Sequence, residues 1–164
     1  MLNQYKVAIY YTPMSFPLNF TCHTWVEISH NEQTDRYDLW AYHGVQHGDM
    51  SKNYIYRNIF PQHLGTTFSP LANPRSRTGR QVGKIFQSIS GDETSVAAEL
   101  YLAISKNAFD YPFDKKYNLV FGPTCNTFTQ WVINLVPDAK LRLPWNAWGK
   151  GSRVSSGQEK TPSN

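Results

Sequence analysis

Two cysteines in 164 residues are too few for a disulfide framework, and too few for a structural zinc site by themselves. No run approaches the ~18 apolar residues that a membrane-crossing helix needs. Met1 to Tyr11 carries a single lysine and no long apolar stretch, so it does not read as a secretory leader. A cytoplasmic location is therefore expected; a secreted effector without a cleavable leader would look the same. Neither sign of charge dominates, the net charge being +4. The closest basic residues, Arg75, Arg77, Arg80 and Lys84, fall in a Pro/Ser/Gly-rich stretch with no nucleic-acid motif around them. They read as solvated loop, and no nucleic-acid partner is expected. No internal repeat is visible. His43 and His47 stand four apart, but the segment between them contains glycine and follows an expected strand, so the two rings do not converge as on a helix. Neither a metal nor a cofactor is expected.

Aromatic residues, in contrast, are plentiful. Ten Tyr, nine Phe and five Trp, within a hydrophobic share of 40%, supply a real core and favour strands. The length fits one domain, expected over residues 1–150, with a polar, flexible tail over 151–164. Lys6–Tyr11 reads as a strand stopped by Thr12-Pro13, and Thr21–Ser29 with Arg36–His43 as a hairpin turning through His30–Asp35. Tyr54–Phe60 and Tyr117–Phe121 read as further strands, and Pro61–Arg80 as irregular chain. Asp92–Phe109 has helical spacing at Val96, Leu100, Ala103 and Ile104, with acidic residues early and Lys106 late, as the helix dipole favours. Thr124–Val136 reads as a second helix, entered after Gly122-Pro123 and ended by Pro137, with Phe128, Trp131, Val132 and Leu135 on its buried face. The class that follows is α+β: an antiparallel sheet packed against two main helices.

Cys125 falls in the first turn of that second helix, with Thr124 as its N-cap. Exposed N–H groups and the positive end of the dipole at such a place favour a thiolate and can hold an oxyanion. Its spacing to Phe128 and Val132 turns it toward the body of the protein. The competing readings are a small buried hydrophobe and a disulfide with Cys22. A thiolate needs a base, and His23 is the best-placed candidate. Alternation on its strand puts His23, Trp25 and Glu27 on one face and Cys22, Thr24, Val26 and Ile28 on the other. A His23–Cys125 dyad and a Cys22–Cys125 disulfide are then nearly exclusive. With the hairpin symmetric about Gln33, His23 lies opposite His43, Trp25 opposite Ala41 and Glu27 opposite Leu39, so that His43 becomes the group orienting the imidazole. A register slip of one residue would put Tyr42 there instead.

The stretch YPFDKKYNLVFGPTCNTFTQWVINLVPDAKLRLPWNAWGKG resembles the C-terminal signature of the DUF3750 family of bacterial proteins of unknown function. Gly122, Pro123, Asn126, Thr127, Phe128, Trp131, Leu143, Pro144, Ala147, Gly149 and Lys150 carry the likeness, and His23-Thr24-Trp25 carries it near the N-terminus. The family pattern commonly has serine where this chain has Cys125, a weaker nucleophile that puts catalysis in doubt for the family while Cys125 favours it here. The order of His23, a polar residue on the next strand, and Thr124-Cys125-Asn126 opening a late helix also resembles the circularly permuted papain-like enzymes of the NlpC/P60 superfamily. The lecithin-retinol acyltransferase-like proteins belong to that group. This resemblance implies a permuted papain-like domain acting on an amide, peptide or acyl ester through a Cys125 thioester. His23 would be the general base, His43 the third member, and Thr124, Asn126 and Trp25 would shape the site, with the Cys125 N–H helping to hold the oxyanion. Small molecules, peptides or lipids would be its substrates. The alternative is a binding module without chemistry, presenting Trp145 and Trp148 to a partner. A redox use of Cys22 and Cys125 is a third reading.

Overall fold

Alternating apolar and polar residues in the N-terminal half generate strands that must pair and cover one face. The computed structural model describes residues 4–14, 20–41, 53–57, 83–112 and 123–150. Strands β1 (Tyr5–Pro13), β2 (Cys22–His30), β3 (Gln33–Ala41), β4 (Asn53–Arg57) and β5 (Lys84–Gly91) form one sheet in the order β4-β3-β2-β1-β5. All neighbours are antiparallel. Helix α1 (Val96–Asn107) packs on β1 and β5, and helix α2 (Cys125–Ile133) on β2 and β3. The class is α+β, an antiparallel sheet backed by two helices, as the sequence leads one to expect.

The register divides the side chains of β1–β3 into two sets. Val7 pairs with Ile28 and Val26 with Tyr37, so these side chains and Leu39 share the face covered by the helices. Leu100 and Ile104 of α1, and Phe128 and Val132 of α2, close the core against them, each essentially inaccessible. Tyr10 pairs with Trp25 and Glu27 with Arg36, which places His23, Trp25, Arg36 and Asp38 on the opposite set of positions. These four side chains are also buried. The Trp25 ring stacks on Tyr10 at 5.5 Å, carries the Arg36 guanidinium at 4.2 Å from its centroid, and lies so close to the Gly83 backbone that a Cβ there would fall 2.0 Å from it.

Three expectations change. The β2–β3 turn is Asn31-Glu32 alone, with His30 paired to Gln33 and Glu27 facing Arg36 rather than Leu39. Asn31 at φ 54° makes this tight reversal, since its short amide side chain tolerates the left-handed region. Asp92–Ser95 is a capping loop and not the first turn of α1: Asp92 Oδ1 accepts from the Thr94 N–H and Ser95 Oγ from the Ala98 N–H. Val96, at the mouth of the helix, is consequently 38% exposed, and Ala97 completes the inward stripe with Leu100 and Ile104. Strand β5 had no clear signal because, at the sheet edge beyond β1, its residues are exposed or only half-buried. The expected strand Tyr117–Phe121 and the tail 151–164 lie outside the described residues. No helix among the described residues is long and apolar enough to cross a membrane.

Candidate active site

The second helix begins where the sequence places it, with a capping box at its mouth. Thr124, with extended backbone, accepts the Thr127 N–H on Oγ1 and donates its own N–H to Thr127 Oγ1 at 3.2 Å. This reciprocal box uses two of the four N-terminal N–H groups that a helix leaves unmatched. Cys125 is therefore the first helical residue, 4% exposed, with its Sγ 3.7 Å from Asn126 Oδ1.

Asn126 ties the helix mouth to the sheet. Its Oδ1 accepts from Thr24 Oγ1 at 2.8 Å, and its Nδ2 donates to the carbonyls of Cys22 and Trp148, each at 2.9 Å. Thr129 Oγ1 adds a bond to the Thr24 carbonyl. The helix thus meets β2 at its first residues, and Cys125 is brought against His23. The sulfur of Cys125 is close enough for its charge to act on the imidazole, as one of the causes that raise the His23 pKa. On its other side His23 Nε2 lies 2.9 Å from Asp38 Oδ1, and Asp38 Oδ2 is in turn paired with Arg36. Cys125, His23, Asp38 and Arg36 form one buried chain of ionisable groups.

The electrostatics follow from burial and alternating charge. Burial by itself pushes the His23 pKa down. The charges of Asp38 and Cys125 and the hydrogen bonds to both outweigh it, holding the imidazole up at about 10. Burial would raise the Asp38 pKa, but His23 and Arg36 hold it below the usual carboxylate range. Cys22 is pushed up to about 12 by its own burial and then by the negative charge of Cys125, against the pull of Lys150. It stays a thiol at neutral pH. Both cysteines are free.

A small cavity reaches the sulfur of Cys125, lined by Met14, Thr21, Cys22, Thr124, Asn126 and Trp148. The strap Pro144–Lys150 closes it from one side. Thr127 Oγ1 donates to the Gly149 carbonyl at 2.9 Å, Thr21 Oγ1 to the Asn146 carbonyl at 2.9 Å, and Lys150 Nζ to the carbonyls of Pro144 and Trp145 at 2.7 and 3.2 Å. Gly149 takes φ 85°, and a Cβ there would stand 2.8 Å from Thr124 Oγ1, so glycine serves both the turn and the close approach.

Several sequence expectations come together here and others do not. Cys125, His23, Thr124 and Asn126 meet. Trp25 flanks His23, ring centroids 5.9 Å apart. His43 lies outside the described residues, and the group beside His23 Nε2 is Asp38. The observed hairpin register is displaced by three residues, since Glu27 faces Arg36 and not Leu39. Asp38 and Arg36 thereby share the His23 face. The available signal was Asn31 as a left-handed turn residue, together with two opposite charges at alternate positions of an aromatic strand. The expected opposition between the two sulfurs also fails: Cys22 lines the same cavity as Cys125, because the helix mouth abuts the beginning of β2 and touches residues of both faces. His30 has a separate place, stacked on Tyr5 at 4.3 Å.

No curated protein and no solved structure matches the chain. A family described as "Protein of unknown function (DUF3750)" matches residues 4–152. The motif positions are those that build the helix mouth and its strap: Asn126, Thr127, Gly149 and Lys150 hold the two together, and His23-Thr24-Trp25 supplies the facing strand. A match over nearly the whole length shows that this chain belongs to the DUF3750 family.

Proposed function

We propose that the chain is a thiol-dependent hydrolase or acyltransferase acting on an amide, peptide or acyl ester. The observation that carries this reading is the meeting of Cys125, at the mouth of α2, with a buried His23 whose Nε2 lies 2.9 Å from Asp38 Oδ1. A nucleophile, a base and a group orienting the base are the three parts of a covalent acyl-transfer site. With its proton already held on His23, the Cys125 sulfur attacks the carbonyl carbon of the substrate. The Cys125 N–H, at the positive end of α2, holds the developing oxyanion. Collapse expels the amine or alcohol, which takes the proton back from His23, and leaves a thioester. Water, or an acceptor amine or alcohol, then attacks the thioester while His23, now neutral, takes its proton, and departure of the sulfur restores the starting pair. Asp38 keeps the ring in place and supports its positive charge, and Arg36 keeps Asp38 ionised.

The chain order supports the finer reading of a circularly permuted papain-like enzyme of the NlpC/P60 type. The histidine strand comes first, the acidic residue follows on the next strand, and the cysteine opens a late helix. The test is alkylation of the intact chain by iodoacetamide near neutral pH, with the modified site read by mass spectrometry. Cys125 should react well ahead of Cys22 and faster than free cysteine. His23→Ala should slow it by about 10²-fold, the lower end of what a positioned base contributes. Labelling of the His23→Ala protein at the full parent rate removes the dyad and the reading with it.

A further inference from the structure

The cavity at Cys125 has a property that its residue names conceal. Three of its lining side chains are polar, yet their hydrogen-bonding atoms are already committed. Thr21 Oγ1 donates to the Asn146 carbonyl and accepts the Trp148 N–H. Thr124 Oγ1 serves the Thr127 N–H and the Trp148 carbonyl. Asn126 uses both ends of its amide on Thr24, Cys22 and Trp148. The nearby cation, Lys150, donates to two strap carbonyls. Among the described residues no Asp, Glu, Lys, Arg or His side chain lines the cavity. What remains for a ligand is Met14, the un-ionised Cys22 thiol, the methyl groups of the threonines and the Trp148 ring. Beyond the backbone donor at Cys125 and the indole N–H of Trp148, a polar or charged acyl chain entering there would lose its water and find few partners, which costs far more than an apolar chain would lose.

The apolar lining continues outward. Phe20 packs on Trp148 with ring centroids 4.5 Å apart, and the two are 45% and 42% exposed. Trp148 thus joins the cavity wall to an exposed apolar surface that Phe20 extends. The cavity itself has room for about one water molecule at most. An acyl group reaches the sulfur only if the Trp148 side chain turns aside. Its backbone is held by Thr21 and Asn126, whereas its ring is the half-exposed part of the wall, so the ring can swing while the strap stays in place.

Resting on the enzymatic reading above, we infer that Trp148, with Phe20 against it, is the gate and specificity wall of the Cys125 site, and that the site takes an acyl donor whose acyl group is uncharged and apolar. The step tested is attack of the Cys125 sulfur on a p-nitrophenyl ester, forming the thioester and releasing p-nitrophenolate. The intact chain is given esters of matched length whose acyl chains end in methyl, carboxylate or trimethylammonium, together with p-nitrophenyl acetate. Intact mass reads acylation at Cys125, and each rate is divided by the rate with N-acetylcysteine. The methyl-ended ester should outpace both charged ones by about tenfold or more. In Trp148→Ala that preference should shrink to within about threefold while acetate still reacts; in Trp148→Phe, which keeps an aromatic wall, it should persist. A charged acyl chain reacting as fast as the apolar one overturns the inference, as does full discrimination surviving in Trp148→Ala. Acylation by the esters at equal rates sinks the specificity wall alone. No acylation of Cys125 by any ester, acetate included, sinks the enzymatic reading and this inference together.

Discussion

Replacing Asp38 by asparagine preserves the shape of the site and deletes one charge from its centre. Asp38 is fully buried between two cationic partners, His23 at 2.9 Å and Arg36 in direct contact. At an effective dielectric near 20, a charge pair at 2.9 Å is worth about 6 kcal/mol before desolvation is counted. The elevation of the His23 pKa to about 10, against 6.5 for a free imidazole, corresponds to about 5 kcal/mol of preference for the charged ring, shared between Asp38 and Cys125. In Asp38→Asn, burial drives His23 toward the neutral form, and Arg36 is left as a buried cation without its carboxylate. Breaking a buried pair from one side costs about 3–5 kcal/mol. At roughly 2–4 °C per kcal/mol for a domain of this size, the melting temperature should fall by roughly 10 °C. Alkylation of Cys125 at pH 7 should slow as well, because a neutral imidazole no longer supports the thiolate. Thermal melting and the iodoacetamide rate are the two readouts. A variant that melts within about 1 °C of the parent and labels at its rate would show that no charged chain runs from Cys125 to Arg36.

The pH dependence of stability carries a defined sign at both ends. His23 is raised, so its contribution is complete below 6.5 and disappears as the pH climbs through about 10; Asp38 is lowered, so its contribution is present above the ordinary carboxylate range and lost on acidification. Urea midpoints followed from pH 2 to 11 should form a plateau that falls at both ends, and His23→Gln should flatten the alkaline fall. Gly149→Ala should cost about 1–3 kcal/mol in urea denaturation, since the residue sits at φ 85° and the new Cβ would press on Thr124 Oγ1. It should also disturb the helix mouth, seen as an altered Cys125 labelling rate. Phe128→Ala, which empties a fully buried site between Tyr111 and the sheet, should lose about 3–5 kcal/mol by the same measurement. A loss below about 1 kcal/mol would mean that α2 is not clamped by this ring.

What could be read from the chain alone was whatever is local. The strands announce themselves through period-two alternation over Lys6–Tyr11 and Thr21–Ser29, and the second helix through Thr124 and the Phe128–Val132 stripe, because capping and amphipathicity depend on neighbours a few residues away. For the same reason Cys125 could be picked out by its position, and His23 by its residue type and strand. Which residue would stand beside His23 was not local. It depended on the hairpin register, and this hung on a single left-handed residue, Asn31; moving the turn exchanges every cross-strand partner, and so Asp38 and Arg36 stayed hidden. The strap over the helix mouth was equally beyond reach, since Thr21 meets Asn146 and Trp148 only through contacts spanning 125 and 127 positions of the chain. The sequence alone determined the elements and named the sulfur; only tertiary packing decided its charged partners and its apolar wall, because hydrogen bonds and ion pairs between distant segments leave no periodic trace in the chain that makes them.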